Sequence, residues 1–231
     1  QLVLKNFKPE TIILEKPLTN SYHKAKLIVK ECEKKKINLF VNYFRISDPG
    51  ILKIKKLLSI QYKKDKLFKI NAWYSGGLIN NGSHLINLFQ FIFGKIKSVN
   101  IISKAKIDNS DLEPDFQINF KNCSVILRSS WEKYYSLSGF DLIGTEIRII
   151  YENSENLIQL QKVVDDKNFN NYKVLSKKRV ITNRLNTYQK SVYDEVYKFY
   201  NKRNYNLCSG KEALNTLEVI RKIKKNTYEK K

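Results

Sequence analysis

The feature that most constrains this chain is a change of pattern near residue 66. Before it, strand-like and helix-like segments alternate; after it, strand-like segments follow one another across short turns. Thr11-Ile12-Ile13-Leu14 is a β-branched apolar run suited to a buried parallel strand. Glu15-Lys16-Pro17 ends it, because proline has no N–H to give a central ladder. Ser21 to Lys35 has helical spacing, with Ala25, Leu27, Ile28, Val29 and Cys32 apolar and lysines on the other face. Ile37 to Phe44 is a second strand-like run. Asp48-Pro49 then opens a helix, with Asp as N-cap and Pro in the first turn. This order predicts a parallel α/β sheet.

Past residue 66, FKINAWY is a strand, followed by the Gly76-Gly77 turn and an apolar helix from about Asn81 to Phe93. The runs VNIISKAKI, DFQINF, CSVILRSSW, FDLIGTEIRIIYE, NLIQLQKVV and YKVLSKKRVI come next. Asp108-Asn109-Ser110, Lys121-Asn122 and Asp165-Asp166 serve as turns between them. Consecutive strands with short connections predict an antiparallel sheet. Helices at about Asn186 to Asn201 and Lys211 to Lys225 close the chain, with Ser209-Gly210 as loop and cap for the second. The expectation is a partial α/β domain over residues 1–66 and an α+β domain over 67–231, its last helix packing back on the first.

Composition narrows the function classes. The sequence starts with Gln and contains no Met, as a piece of a longer polypeptide would. Its net charge of +21 comes from lysines scattered along the whole chain among Ile, Asn, Tyr and Phe, residues that share A/T-rich codons. No long basic tract with interleaved aromatics appears, which argues against a nucleic-acid partner; a positive field would still draw in an anionic small molecule. Cys32, Cys123 and Cys208 are far apart, form no metal-ligand spacing and suit a reducing compartment, so neither zinc nor a disulfide framework is expected. No apolar run approaches the roughly 20 residues that span a bilayer. A cytoplasmic protein is the expectation.

Two stretches carry chemistry. Lys16 stands at the carboxyl end of a parallel strand, where α/β sheets bind ligands, and desolvation there would lower its pKa toward a useful range. Against that, the chain holds many solvated lysines. The second stretch runs Gly76-Gly77-Leu78-Ile79-Asn80-Asn81-Gly82-Ser83-His84. Paired glycines allow a tight turn, and Asn80 and His84, four apart, can project from one face of a helix start. His84 is a candidate acid/base group or a satisfied core residue; His23, in a lysine-rich helix start, suits the surface.

In order and spacing, ILEKPL, VNYFRISDP, GGLINNGSHLINL and CSGKEALNTLEVIRKI resemble the Gfo/Idh/MocA oxidoreductases over nearly the whole chain. The resemblance implies the end of a Rossmann-type parallel sheet followed by a domain with a large open, mainly antiparallel sheet flanked by helices. It implies NAD or NADP as cofactor and a sugar or nucleotide-sugar as substrate, oxidised or reduced at a hydroxyl or keto carbon. Lys16 would lie near the nicotinamide with Glu15 and Pro17, and His84 would act as acid/base. Asn80, Tyr43, Arg45, Trp73 and Tyr74 are the candidate substrate-pocket residues. Many relatives carry acidic residues where Asn80 and Asn87 stand; an amide orients a ligand but accepts no proton, which excludes a carboxylate relay there. The eight glycines form no G-x-G-x-x-G turn, so the pyrophosphate has no recognisable seat in this chain. A homo-oligomer through the antiparallel sheet is expected, because a second sheet face needs covering. The competing expectation is a non-catalytic relative serving assembly or ligand sensing.

Overall fold

A computed structural model describes residues 2–63, 68–104, 111–130, 135–152 and 156–228. After a short helix α1 (Leu2–Asn6), β1 (Thr11–Leu14), α2 (Tyr22–Lys34), β2 (Asn38–Val41) and α3 (Pro49–Lys63) follow in the alternation expected from the sequence. β1 and β2 pair in parallel, Thr11 opposite Asn38 and Leu14 opposite Val41. The Ser21 side chain caps α2 by accepting from the Lys24 N–H. The strand read over Ile37 to Phe44 is shorter, ending at Val41, and Phe44 to Ser47 form a 3₁₀ turn between β2 and α3.

β3 (Phe68–Tyr74) leads through a π-helical turn, Gly77–Gly82, into α4 (Ser83–Phe93). Then come β4 (Ser98–Ser103), β5 (Asp115–Asn119), β6 (Cys123–Ser129), β7 (Gly139–Gly144), β8 (Ile147–Glu152), β9 (Leu157–Asp165), β10 (Lys173–Leu175) and β11 (Arg179–Val180). The run FDLIGTEIRIIYE is a hairpin, since Gly144 ends β7 before β8 begins. The sheet order is β10-β9-β8-β7-β3-β6-β5-β4, with β11 beside β9. All its pairs are antiparallel except β3 with β6, so this is a mixed α/β chain with a large, mostly antiparallel sheet flanked by helices. The turn at Asp108-Asn109-Ser110, the 66/67 boundary and Trp131 lie outside the described residues.

The chain finishes with α5 (Tyr188–Tyr200), β12 (Cys208–Ser209) and α6 (Gly210–Tyr228). Ser209, read with Gly210 as only loop and cap, also forms a short strand with Cys208; the two pair antiparallel with Phe40 and Val41 and add a third strand to the small sheet. Ser209 begins a capping box as well: its N–H and hydroxyl donate to Glu212 while its hydroxyl oxygen accepts from the Glu212 N–H. α6 packs on α2 of the small layer and on α4 of the large one.

Period-two alternation sets the two faces of the large sheet. Phe68, Ile70, Ala72 and Tyr74 on β3, with Phe140 and Leu142 on β7 and Ile149 and Tyr151 on β8, turn inward and join α4 in one core. Lys69, Asn71 and Trp73 take the other face.

Asp48 joins three segments. It is fully buried; its Oδ1 accepts from the N–H groups of Gly50 and Ile51 at 2.7 and 3.1 Å, and its Oδ2 from that of Arg184 at 2.7 Å. Replacing Asp48 with Ala would uncap α3 and leave the Arg184 N–H before α5 without its acceptor. We expect a loss of about 2–3 kcal/mol in urea unfolding, and a smaller loss for Asp48→Asn, whose amide oxygen still accepts.

Candidate active site

Because β1 and β2 are parallel, the segments leaving their carboxyl ends lie side by side, Glu15–Pro17 beside Asn42–Arg45. The Asn42 N–H donates to Leu14 O at 2.7 Å, and its side-chain amide donates to Glu15 Oε1 at 2.8 Å, tying the two segments together. Lys16 is half-buried between them and the π-helical turn. Its Nζ donates to the backbone oxygen of Asn80 at 2.9 Å and to Asn80 Oδ1 at 2.5 Å. Residues 64 apart in sequence thus form one unit.

The turn that presents Asn80 is held by side chains. Gly76 and Gly77 both have positive φ, 76° and 89°. Asp111 Oδ2 accepts from the N–H groups of Ile79 and Asn80 at 2.7 and 3.0 Å, and Glu113 accepts from Gly77 N–H at 2.8 Å. A Cβ at Gly77 would stand 2.3 Å from Asp111 Oδ2, so glycine is required by conformation and by space together. Asn81 donates from its side chain to Ser75 O at 2.7 Å. Asn80, expected to orient substrate or His84, spends its amide oxygen on Lys16.

His84 follows on the first turn of α4 and is 4% exposed. Tyr43 meets its ring edge-on with centroids 5.4 Å apart, and Phe44 lies at 5.1 Å. Phe44 in turn contacts Tyr188 at 4.2 Å, so a line of rings runs from His84 to the half-exposed Tyr188 at the start of α5. His84 Nδ1 is buried without a hydrogen-bond partner. Burial, then the positive charges of Arg45 and Lys16, hold the imidazole well below the usual histidine range. His84 is therefore neutral near pH 7 and able to accept a proton. Burial and Arg45 likewise lower Lys16, against the raising influence of Glu15 and Asp111.

Of the residues singled out in the sequence, Glu15, Lys16, Pro17, Tyr43, Arg45, Asn80 and His84 come together here. Trp73 and Tyr74 do not. Adjacent strand residues point to opposite faces, so Trp73 lies on the outer face of the large sheet. Tyr74 is in the core, its hydroxyl donating to Pro114 O at 2.6 Å. Sequence reasoning missed Asn42, Asp111, Glu113, Tyr151 and Tyr188, none of which belongs to a recurring local motif. No cluster of three or more His, Cys, Asp or Glu side chains among the described residues could hold a metal. No helix among them is long and apolar enough to cross a membrane. A cavity of about 560 Å³ lies apart from this site, between α4, β4 and α6.

No family model matches the chain, and no curated protein does. Solved structures do match. An NAD-binding oxidoreductase from Klebsiella pneumoniae superposes with a TM-score of 0.76 over 94% of this chain and 71% of that one, at 13% identity. An oxidoreductase from Agrobacterium radiobacter, solved in complex with NAD+, L-tartaric acid and magnesium, gives a TM-score of 0.66 over 93% of this chain and 70% of its own, at 16% identity. The fold is that of these NAD-binding oxidoreductases.

The burial of His84 has a consequence for stability. Below about pH 6.5 the unfolded chain protonates this histidine while the folded chain does not, so stability falls as pH falls until the lowered folded pKa is reached. Asp48, raised by burial, works in the opposite sense on acidification. The difference between the parent and His84→Asn isolates the histidine. Between about pH 6.5 and pH 5, urea unfolding should show the parent losing up to about 1.4 kcal/mol per pH unit more than the variant.

Proposed function

We propose that this chain is the catalytic portion of an NAD(P)-dependent oxidoreductase of the Gfo/Idh/MocA type, acting on a hydroxyl or keto carbon of a sugar or nucleotide-sugar. A cytoplasmic role in surface-polysaccharide synthesis fits that chemistry. The observation that carries the reading is the convergence of Lys16, from the end of β1, with Asn80 and His84, from the turn into α4.

The residues present suit the nicotinamide end of the cofactor. The carboxyl end of a parallel strand is where such sheets take nucleotides, and Asn42 Oδ1 and His84 Nδ1 lie buried there without partners. Glu15, Lys16 and Pro17 would border that end. They do not suit the pyrophosphate, for which the chain has no glycine-rich turn. Bound NAD(P) supplies hydride transfer. The chain supplies proton handling: neutral His84 takes the proton of the substrate hydroxyl, and Lys16 steadies the oxyanion that develops on the same oxygen. Asn80 fixes the Lys16 ammonium through two acceptors, which spares it reorganisation as charge builds.

The outer face of the large sheet sets Trp73, Ile126, Ile143 and Ile150 among polar side chains, with Ile143 51% exposed. This face is proposed as the surface through which copies of the protein associate.

Steady-state kinetics test the assignment in the full-length protein, each variant normalised to folded protein by a thermal melt. His84→Asn should lower turnover by about 100- to 10,000-fold with substrate affinity less affected. Lys16→Met should also abolish turnover and weaken the cofactor. Near-parental turnover in His84→Asn would end the acid/base assignment and leave His84 a core residue; no turnover in the parent would favour the non-catalytic reading. The 231-residue chain alone should bind NAD(P) more weakly than about 1 mM in calorimetry, for want of a pyrophosphate seat; tight stoichiometric binding would contradict this.

A further inference from the structure

We infer that Arg45 is the seat for an oxyanion on the substrate, so that the molecule taken by this site carries a carboxylate or a phosphate. The inference rests on Lys16 and His84 forming the reacting centre.

Arg45 leaves the 3₁₀ turn after β2 and is 4% exposed. Its Nε donates to the hydroxyl of Tyr151, deep on β8, at 3.0 Å, and its Cζ stands 4.9 Å from the centre of the Phe44 ring. These two contacts fix the plane of the guanidinium. Nη1 is buried without a hydrogen-bond partner. No carboxylate among the described residues forms an ion pair with Arg45.

An arginine that merely fills a core is ordinarily compensated, since a buried guanidinium without acceptors is costly. Asp48 shows the compensated case in the same chain, with both carboxylate oxygens satisfied. Arg45 instead keeps unused donors of a planar fork, the group best shaped for a carboxylate or phosphate. Lys16 adds a second positive charge, and both cations act on His84. An oxyanion held between them would offset the part of the depression that Arg45 and Lys16 cause, leaving that of burial, and so make His84 a stronger base. Substrate binding and base strength would then be linked.

The test is calorimetric titration of the chain with D-glucuronate, D-glucose and inorganic phosphate, in the parent, Arg45→Met and Arg45→Lys. The parent should prefer glucuronate or phosphate over glucose by at least about 10-fold, the scale of one charge-assisted hydrogen bond. Arg45→Met should erase that preference, and Arg45→Lys should cut it severalfold by replacing a fork with a point charge. Glucuronate tighter than phosphate names a carboxylate; the reverse names a phosphate. Should Arg45→Met fail to fold, Arg45→Lys decides alone. Glucose bound as tightly as the anions, a preference untouched by the substitutions, or no binding by any probe overturns the seat; an untouched preference traces to the overall positive charge. These outcomes are separate from the kinetic test. A preference independent of Arg45 with an inactive His84→Asn removes only the seat, and an Arg45-dependent preference with a fully active His84→Asn removes only the acid/base assignment of His84.

Discussion

Everything in this structure is arranged around one helix that cannot face water. α4 is apolar nearly all round: Ser83, Leu85, Ile86, Leu88 and Phe89 are fully buried, and His84, Asn87 and Phe93 nearly so. A helix of that kind is stable only if packed on every side. The inner face of the large sheet covers one side, with Phe140 against Phe89, while α6 and the turn after β2 cover others. The small and large layers are thereby held against each other, and the helix that joins them carries His84 at its first turn. The low proton affinity of His84 is a by-product of the packing that holds the layers together.

The same packing explains where polar residues on α4 go. Asn87 donates to Cys208 Sγ and Thr216 Oγ1 on the returning end of the chain, and Thr216 donates on to Gln90. An acidic residue at position 87 would place a charge in this buried network, where the amide satisfies two neighbours without one. Charge is gathered instead around Lys16, whose ammonium feels Arg45, Glu15 and Asp111.

Much of this was legible in the sequence where the signal is local. The period of two in FKINAWY, the apolar run before Glu15-Lys16-Pro17 and the Asp48-Pro49 helix start each act over a few residues, and β1, β3 and α3 form as those patterns dictate. What stayed illegible is nonlocal or concerns orientation. Nothing near Asp111 announces that its carboxylate will pin a turn some 30 residues earlier. Tyr151 looks like any inward strand residue until Arg45 is found against its hydroxyl. Trp73 and Tyr74 attracted attention as neighbours in a motif-rich stretch, yet the pleat that makes FKINAWY a strand also separates them. Cys208-Ser209 is too short a strand to show any period, and its pairing partner lies 167 positions upstream for Cys208 with Val41.

That last pairing bears on the order in which the molecule assembles. Loop-closure entropy favours near neighbours, so the β7–β8 hairpin and the β1–α2–β2 unit can form as soon as their residues leave the ribosome. The third strand of the small sheet cannot. Val41 has to wait for Cys208, and α6 only then covers α2 and α4, so a nascent chain carries the open edge of β2 and the bare side of α4 until the residues from 208 onward are made. A chain stopped before residue 208 would leave that edge of β2 and that side of α4 uncovered, the kind of exposed surface through which unfinished chains associate.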